Sequence, residues 1–158
     1  MMRDVDIAKH FISAATTVTF TMAQLIVTPG KFFVKHDHMS QGDITAVMDV
    51  TGQKTGTIAV SFSRAAAVEL AKGMLGDGVQ NLEKDMRDAV GEVTNMISGQ
   101  ARAAMADDGV VLRTTTPTIL KGKEVEIAYA ADAPIIAIPF TTRAGASFVV
   151  EFCLGGEE

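Results

Sequence analysis

Apolar and polar positions alternate along this chain with two different periods. From about residue 5 to 27, Ala8, Phe11, Ile12, Ala15, Val18, Met22 and Leu25 recur at steps of three and four, the spacing of one helix face. The β-branched run Thr16-Thr17-Val18-Thr19 works against that helix, and Thr28-Pro29-Gly30 ends it. Strand-like runs follow at Lys31–His38, Ile44–Thr51 and Thr55–Phe62, the last alternating Ile58, Val60 and Phe62 onto one face. Gly42-Asp43 and Gly52-Gln53 supply the turns between them. Ser63 then stands as N-cap of a short helix, Arg64–Leu75, closed by Gly76-Asp77-Gly78. From about Asn81 to Ala106, Leu82, Met86, Ala89, Val90, Val93, Ile97, Ala101 and Ala104 define a long amphipathic helix with no proline inside it. Asp107-Asp108-Gly109 closes it. Four further strands are expected at Val110–Thr115, Glu124–Ala130, Ile135–Phe140 and Ser147–Leu154, with Thr142–Gly145 as a hairpin turn and Gly155–Glu158 as a fraying tail.

The order helix, three strands, short helix, long helix, four strands suggests a duplicated helix-plus-sheet unit. Short turns between strands imply a largely antiparallel sheet. The expected architecture is therefore α+β, with both long helices packed on one face of that sheet. Residues 1–158 are read as a single domain, long enough to bury a core without a metal or disulfide staple.

Composition narrows the function. Fourteen Lys and Arg against nineteen Asp and Glu give a net charge of −5, with no basic run, which argues against a nucleic-acid surface. Cys153 is the one cysteine, so no internal disulfide and no cysteine-rich zinc site can form. Its apolar strand suits a buried structural thiol better than a nucleophile. His36 and His38 share one face of a possible strand, but third and fourth metal ligands are not evident, so solvent-exposed or loop histidines are expected and no metal site. Asp4, Asp6, Lys9 and His10 interrupt the N-terminal apolar pattern. No stretch nears the roughly 18 apolar residues of a membrane span. A cytoplasmic protein is the expectation.

Candidate chemistry lies on the polar side of the long helix. At about 100° per residue, with Glu92 at zero, the core-facing set centres near roughly +110°, while Asp88, Glu92, Asn95, Gly99 and Arg102 fall between roughly −80° and 0°. Glu92 and Asn95 thus share one stripe pointing away from the core, and Gly99 leaves the helix bare beside Asn95. Polar residues at this spacing ordinarily form a solvated face. Two features set this one apart: a mid-helix asparagine with nothing to cap, and two glycines, Gly91 and Gly99, each costing about 1 kcal/mol of helix propensity.

The run Asp88-Ala-Val-Gly-Glu92-Val-Thr-Asn95-Met-Ile-Ser-Gly99-Gln-Ala101, with Pro117 after 21 intervening residues, resembles the signature of the CheX family of chemotaxis phosphatases, within the CheC/CheX/FliY group. The likeness extends to Ala14-Ala15-Thr16 and Thr21-Met22, to Pro134–Phe140, and to Phe148–Leu154. The chain has a single Glu-x-x-Asn pair, which fits the one-site CheX pattern.

The resemblance implies a CheX-like fold. It also implies a phosphatase acting on the phosphoaspartate of a CheY-like response-regulator receiver domain. By the same resemblance Asn95 positions the attacking water and Glu92 pairs with the receiver's active-site lysine. Asp88 and Gly99 support partner binding, and Pro117 is read as structural, unable to extend the preceding helix. This chain needs no cofactor of its own, since the Mg2+ belongs to the receiver. A homodimer through sheet edges is implied too. Ile135–Phe140 and Ser147–Leu154 suit such an edge, and equally suit central strands. The alternative is a non-catalytic receiver-binding or signalling adaptor domain of the same fold.

Overall fold

A computed structural model describes residues 2–156. Helix α1 spans Asp4–Ala23. Strands β1 (Val27–Pro29), β2 (Phe33–Lys35), β3 (Ile44–Gly52) and β4 (Thr55–Phe62) follow. Then come α2 (Arg64–Leu75), a 3-10 turn at Gly76–Gly78, and α3 (Leu82–Asp107). The chain ends with β5 (Leu112–Thr114), β6 (Thr118–Lys121), β7 (Ile135–Thr142) and β8 (Ser147–Gly155).

The strands form one antiparallel sheet in the order β1-β7-β8-β4-β3-β5, with β2 also on β7 and β6 also on β3. The hairpins β3–β4 and β7–β8 meet at the β4–β8 ladder, where Phe62 faces Phe148 and Ile58 faces Phe152. Each half contributes a helix, a broken edge strand and a hairpin. The edge strand of each half pairs with the hairpin of the other: β1 and β2 lie on β7, and β5 and β6 lie on β3. The two halves are thereby interlocked, so neither edge can form without the other half's hairpin.

Helices α1 and α3 cover one face, with α2 packed against both. Even-numbered strand residues, including Ile58, Val60, Ile138, Val150 and Phe152, meet Phe11, Val18, Met86, Val93 and Ile97 in one core. Phe11 stacks on Phe152 at 5.3 Å, and Phe148 stacks on both Phe62 and Phe140 at 4.8 Å. Gly73 lets α2 touch α1, since a Cβ there would fall 2.3 Å from the Ala23 carbonyl oxygen. No helix among the described residues is long and apolar enough to cross a membrane.

The opposite face of the sheet is buried but polar, with Thr45, Thr57, Ser61 and Glu151 inside it. Residues 36–43 and 122–134 cover it. The Ser40 N–H donates to the Val125 carbonyl at 2.8 Å, the Ile127 N–H to His38 at 2.7 Å, and the Ala130 N–H to Thr57 Oγ1 at 2.8 Å. Lys35 Nζ reaches Glu151 Oε2 at 2.9 Å, with both side chains almost wholly buried, and the Tyr129 hydroxyl donates to the other Glu151 oxygen. Burial, reinforced by the Glu151 charge, pushes the Tyr129 phenol well above its ordinary range.

Several expectations need correction. α1 stops at Ala23 rather than near residue 27, because Gln24 takes the left-handed conformation at φ 56° and its N–H donates back to Phe20. Inside α1 the threonine run is tolerated because the buried Thr19 hydroxyl donates to the Ala15 carbonyl at 2.8 Å. Thr28 and Pro29 belong to β1 rather than to a simple stop, and proline is accommodated there because β1 is an edge. The 31–38 strand shrinks to β2, which leaves His36 and His38 in an exposed loop. The Glu124–Ala130 strand is absent. That segment makes one isolated bridge, Met39 to Glu126, and its alternate side chains cover the polar face instead of joining a ladder. The missing strand is β6, at Thr118–Lys121. Pro117 lies between β5 and β6, well past the end of α3, so it breaks an edge strand and does not stop a helix. Ile135–Phe140 and Ser147–Leu154 are interior strands, and the open edges are β1/β2 and β5/β6. Gly155 closes β8 rather than fraying, while Glu157 and Glu158 lie outside the described residues.

Candidate functional site

Helix α3 is held firmly. The Asn81 side chain caps its start by accepting from the Lys84 N–H at 3.2 Å, and Asp85 accepts from the Gln80 and Asn81 N–H groups. Met86, Val90, Val93, Ile97, Ala101 and Met105 are buried along its inner side. A rod anchored on one side keeps the groups on its other side in fixed positions relative to one another.

That outer side presents Asp88, Glu92 and Asn95, all exposed. Among the described residues neither Glu92 nor Asn95 makes an ion pair or a side-chain hydrogen bond. The carboxylate and the carboxamide therefore keep their full hydrogen-bonding capacity for something outside the chain. Asp88 differs. It pairs with Lys84 one turn earlier, Nζ to Oδ2 at 2.7 Å, and that hydrogen bond, with the Asp88 charge behind it, raises the Lys84 pKa. Both side chains are 62% exposed, so this pair adds little to stability.

The two helical glycines separate on inspection. A Cβ at Gly91 would sit 3.4 Å from Ile119 Cδ1 of β6, so Gly91 faces the sheet edge at van der Waals distance. A Cβ at Gly99 would meet only the far end of the Arg102 side chain, at 3.9 Å. The fold does not demand glycine there. Arg102 itself runs along the helix and donates from Nε to Ser98 Oγ at 3.2 Å.

The site is a ridge, not a hollow. A cleft of about 530 Å³ lies elsewhere, where Asp6, Lys9 and His10 of α1 face Gln53, Lys54 and Asp108. Within it His10 Nε2 and Asp108 Oδ2 stand 2.8 Å apart. A convex surface cannot enclose a small molecule but can enter a partner's cavity.

The remaining sequence candidates lie outside α3. His36 and His38 are exposed, and the His38 ring packs edge-on against Tyr129 at 5.2 Å. No group of three His, Cys, Asp or Glu side chains suited to a metal ion occurs among the described residues. Cys153 is buried, its thiol directed at the Ala131 and Ala133 carbonyls, and burial pushes its pKa up, away from the reactive thiolate. One feature escaped the sequence pattern. Met96, beside Asn95, is 39% exposed. Its signal was present in the sequence: it is an apolar residue off the apolar stripe of α3.

A family model described as chemotaxis phosphatase CheX matches residues 44–141. The chain is 46% identical to the chemotaxis protein CheX from Desulfovibrio desulfuricans, covering 95% of this chain and 99% of that one at a TM-score of 0.87. It is 28% identical over 85 residues to the CheY-P phosphatase CheX of Thermotoga maritima, a match that spans 53% of this chain and 55% of that protein. The CheX–CheY–BeF3–Mg2+ complex from Borrelia burgdorferi shares the fold at a TM-score of 0.76 and 19% identity, covering 94% of this chain and 97% of that one. With its family signature on an exposed helix and this fold beneath it, the chain belongs to the CheX family.

Proposed function

We propose that this chain hydrolyses the phosphoaspartate of a CheY-like receiver domain, with α3 as the element that enters the receiver's phosphorylation site. The observation that carries the reading is the exposed, unpartnered Glu92 and Asn95 pair, one turn apart on a rigid convex helix. The Thermotoga relative's description as a CheY-P phosphatase and the Borrelia complex with CheY support the same partner and reaction.

An acyl phosphate is already activated, so the catalyst's main task is to place a water in line with the scissile bond. The Asn95 carboxamide offers both an acceptor and a donor and orients that water. The water oxygen attacks phosphorus as the bond from phosphorus to the aspartyl oxygen breaks. The products are aspartate and inorganic phosphate. Asn95 is too weakly basic to hold the proton, which passes to the phosphate. Glu92 pairs with the receiver's lysine, and that charge-assisted contact sets the register in which Asn95 reaches the phosphoryl group. Magnesium is held by the receiver. Asp88, already paired with Lys84, contributes negative charge beside Glu92, and the bare surface at Gly99 admits close approach. A homodimer formed through a sheet edge would use β1/β2 or β5/β6, and Phe33 and Val34 of β2 are exposed.

The test mixes the purified protein with phosphorylated CheY-like receivers and follows phosphate release. Accelerated release supports the reading. Binding without acceleration leaves a receiver-binding adaptor in its place.

A further inference from the structure

Helix α3 shows one large apolar side chain to solvent, Met96 at 39% exposure, amid a surface otherwise polar or small. It is next in sequence to Asn95 and one turn beyond Glu92. Placed at 100° per residue, Asn95 and Met96 lie on opposite flanks of the line running from Glu92 to Gly99. Met96 stands outside the core cluster that Val90, Val93 and Ile97 join from the inner side of α3.

We infer that Met96 is the apolar contact that seats the receiver on α3 and shuts bulk water away from the Glu92 contact. This rests on the phosphatase reading and adds the residue that sets affinity. Glu92 is exposed, and an exposed ion pair is nearly worthless in water and is screened by salt. The same pair gains strength when an apolar neighbour excludes solvent from it, the arrangement found around interface hot spots. Met96, one turn beyond Glu92, is placed to do this for the Glu92 pair. Its unbranched, polarisable thioether moulds to an apolar surface whose shape it does not dictate. Its occupant is the same receiver that Glu92 and Asn95 engage. Met96 sets KM and leaves the chemical step to Asn95.

The experiment measures initial rates of phosphate release, against receiver concentration, on a receiver that the wild-type protein dephosphorylates. Met96→Gln keeps the length and the exposed helix position but removes the apolar contact. It is expected to raise KM about tenfold, equivalent to about 1.4 kcal/mol, and to leave kcat within about twofold. Its KM is also expected to rise more steeply with salt than that of the wild type, because the Glu92 pair is left wet. Met96→Leu is expected to restore the wild-type KM. Val111→Gln, at another exposed apolar residue beyond the end of α3, is expected to change nothing.

A Met96→Gln protein with wild-type KM and salt dependence overturns the inference while the phosphatase reading stands. A wild type that neither dephosphorylates nor binds a BeF3-loaded receiver overturns both.

Discussion

Replacing Lys35 with methionine tests how the polar face of the sheet is held. The Lys35 and Glu151 side chains are 2% and 1% exposed, and their charges stand 2.9 Å apart. At an effective dielectric of about 20, that separation corresponds to a gross attraction of about 6 kcal/mol, most of it offset by the cost of burying both charges. Lys35→Met removes the attraction and keeps the cost for Glu151. It also removes the donor to the Met39 carbonyl. The expected destabilisation is about 3–5 kcal/mol. With a urea slope of about 2 kcal/mol per molar, the unfolding midpoint falls by about 2 M. Lys35→Met combined with Glu151→Leu should lose less than Lys35→Met alone, since no buried charge is then left unpaired. Equilibrium urea unfolding of the wild type, both single variants and the double variant measures the coupling. A midpoint loss under about 0.5 M for Lys35→Met, or effects that add within about 0.5 kcal/mol, would refute the reasoning.

Two further outcomes follow from the same structure. Tyr129 and Cys153 both have pKa values raised by burial, so each favours its protonated form in the folded state. Their contribution to stability is complete below the unfolded values of about 8.5 for the thiol and about 10 for the phenol, and is lost as pH rises through the higher folded values. Urea midpoints should therefore decline above about pH 8.5, and Tyr129→Phe with Cys153→Ala should flatten that decline; an unchanged slope would contradict the assignment. Gly99→Ala should stabilise the fold by about 1 kcal/mol, or about 2–4 °C in Tm, because the position is helical and open. The added methyl should also raise KM for the receiver, and a variant both more stable and equally active would show that bare surface at Gly99 is not used.

The most legible part of this fold was the one whose burial repeats with a simple period. α3 was bounded to within one residue at each end because 26 residues keep one apolar side. β3, β4, β7 and β8 were legible instead from length, each a run of eight or nine residues buried over most of its course. The short edge pieces were not legible. β1 and β6 are three and four residues long, too short for alternation to show, and their partners lie in the other half of the chain. The end of α1 was hidden because Gln24, not glycine, adopts the left-handed turn. Val125, Ile127 and Tyr129 alternate like a strand, yet serve as a cover, and period alone does not distinguish the two. At the site, the outward placement of Glu92 and Asn95 was readable from the helix period. The difference between Gly91 and Gly99 was not, because it depends on where Ile119 of β6 falls in space. Nor was the Lys35–Glu151 pair, whose members stand 116 residues apart.

The most direct measurement of the central claim is a single-turnover assay on a phosphorylated CheY-like receiver saturated with the Asn95→Ala protein. Removing a water-positioning group should slow hydrolysis by about 100-fold or more, to near the receiver's own rate. Affinity for the BeF3-loaded receiver should stay within about threefold of wild type, because Glu92 and Met96 remain in place. An Asn95→Ala protein that hydrolyses the phosphoaspartate at the wild-type rate would contradict the account.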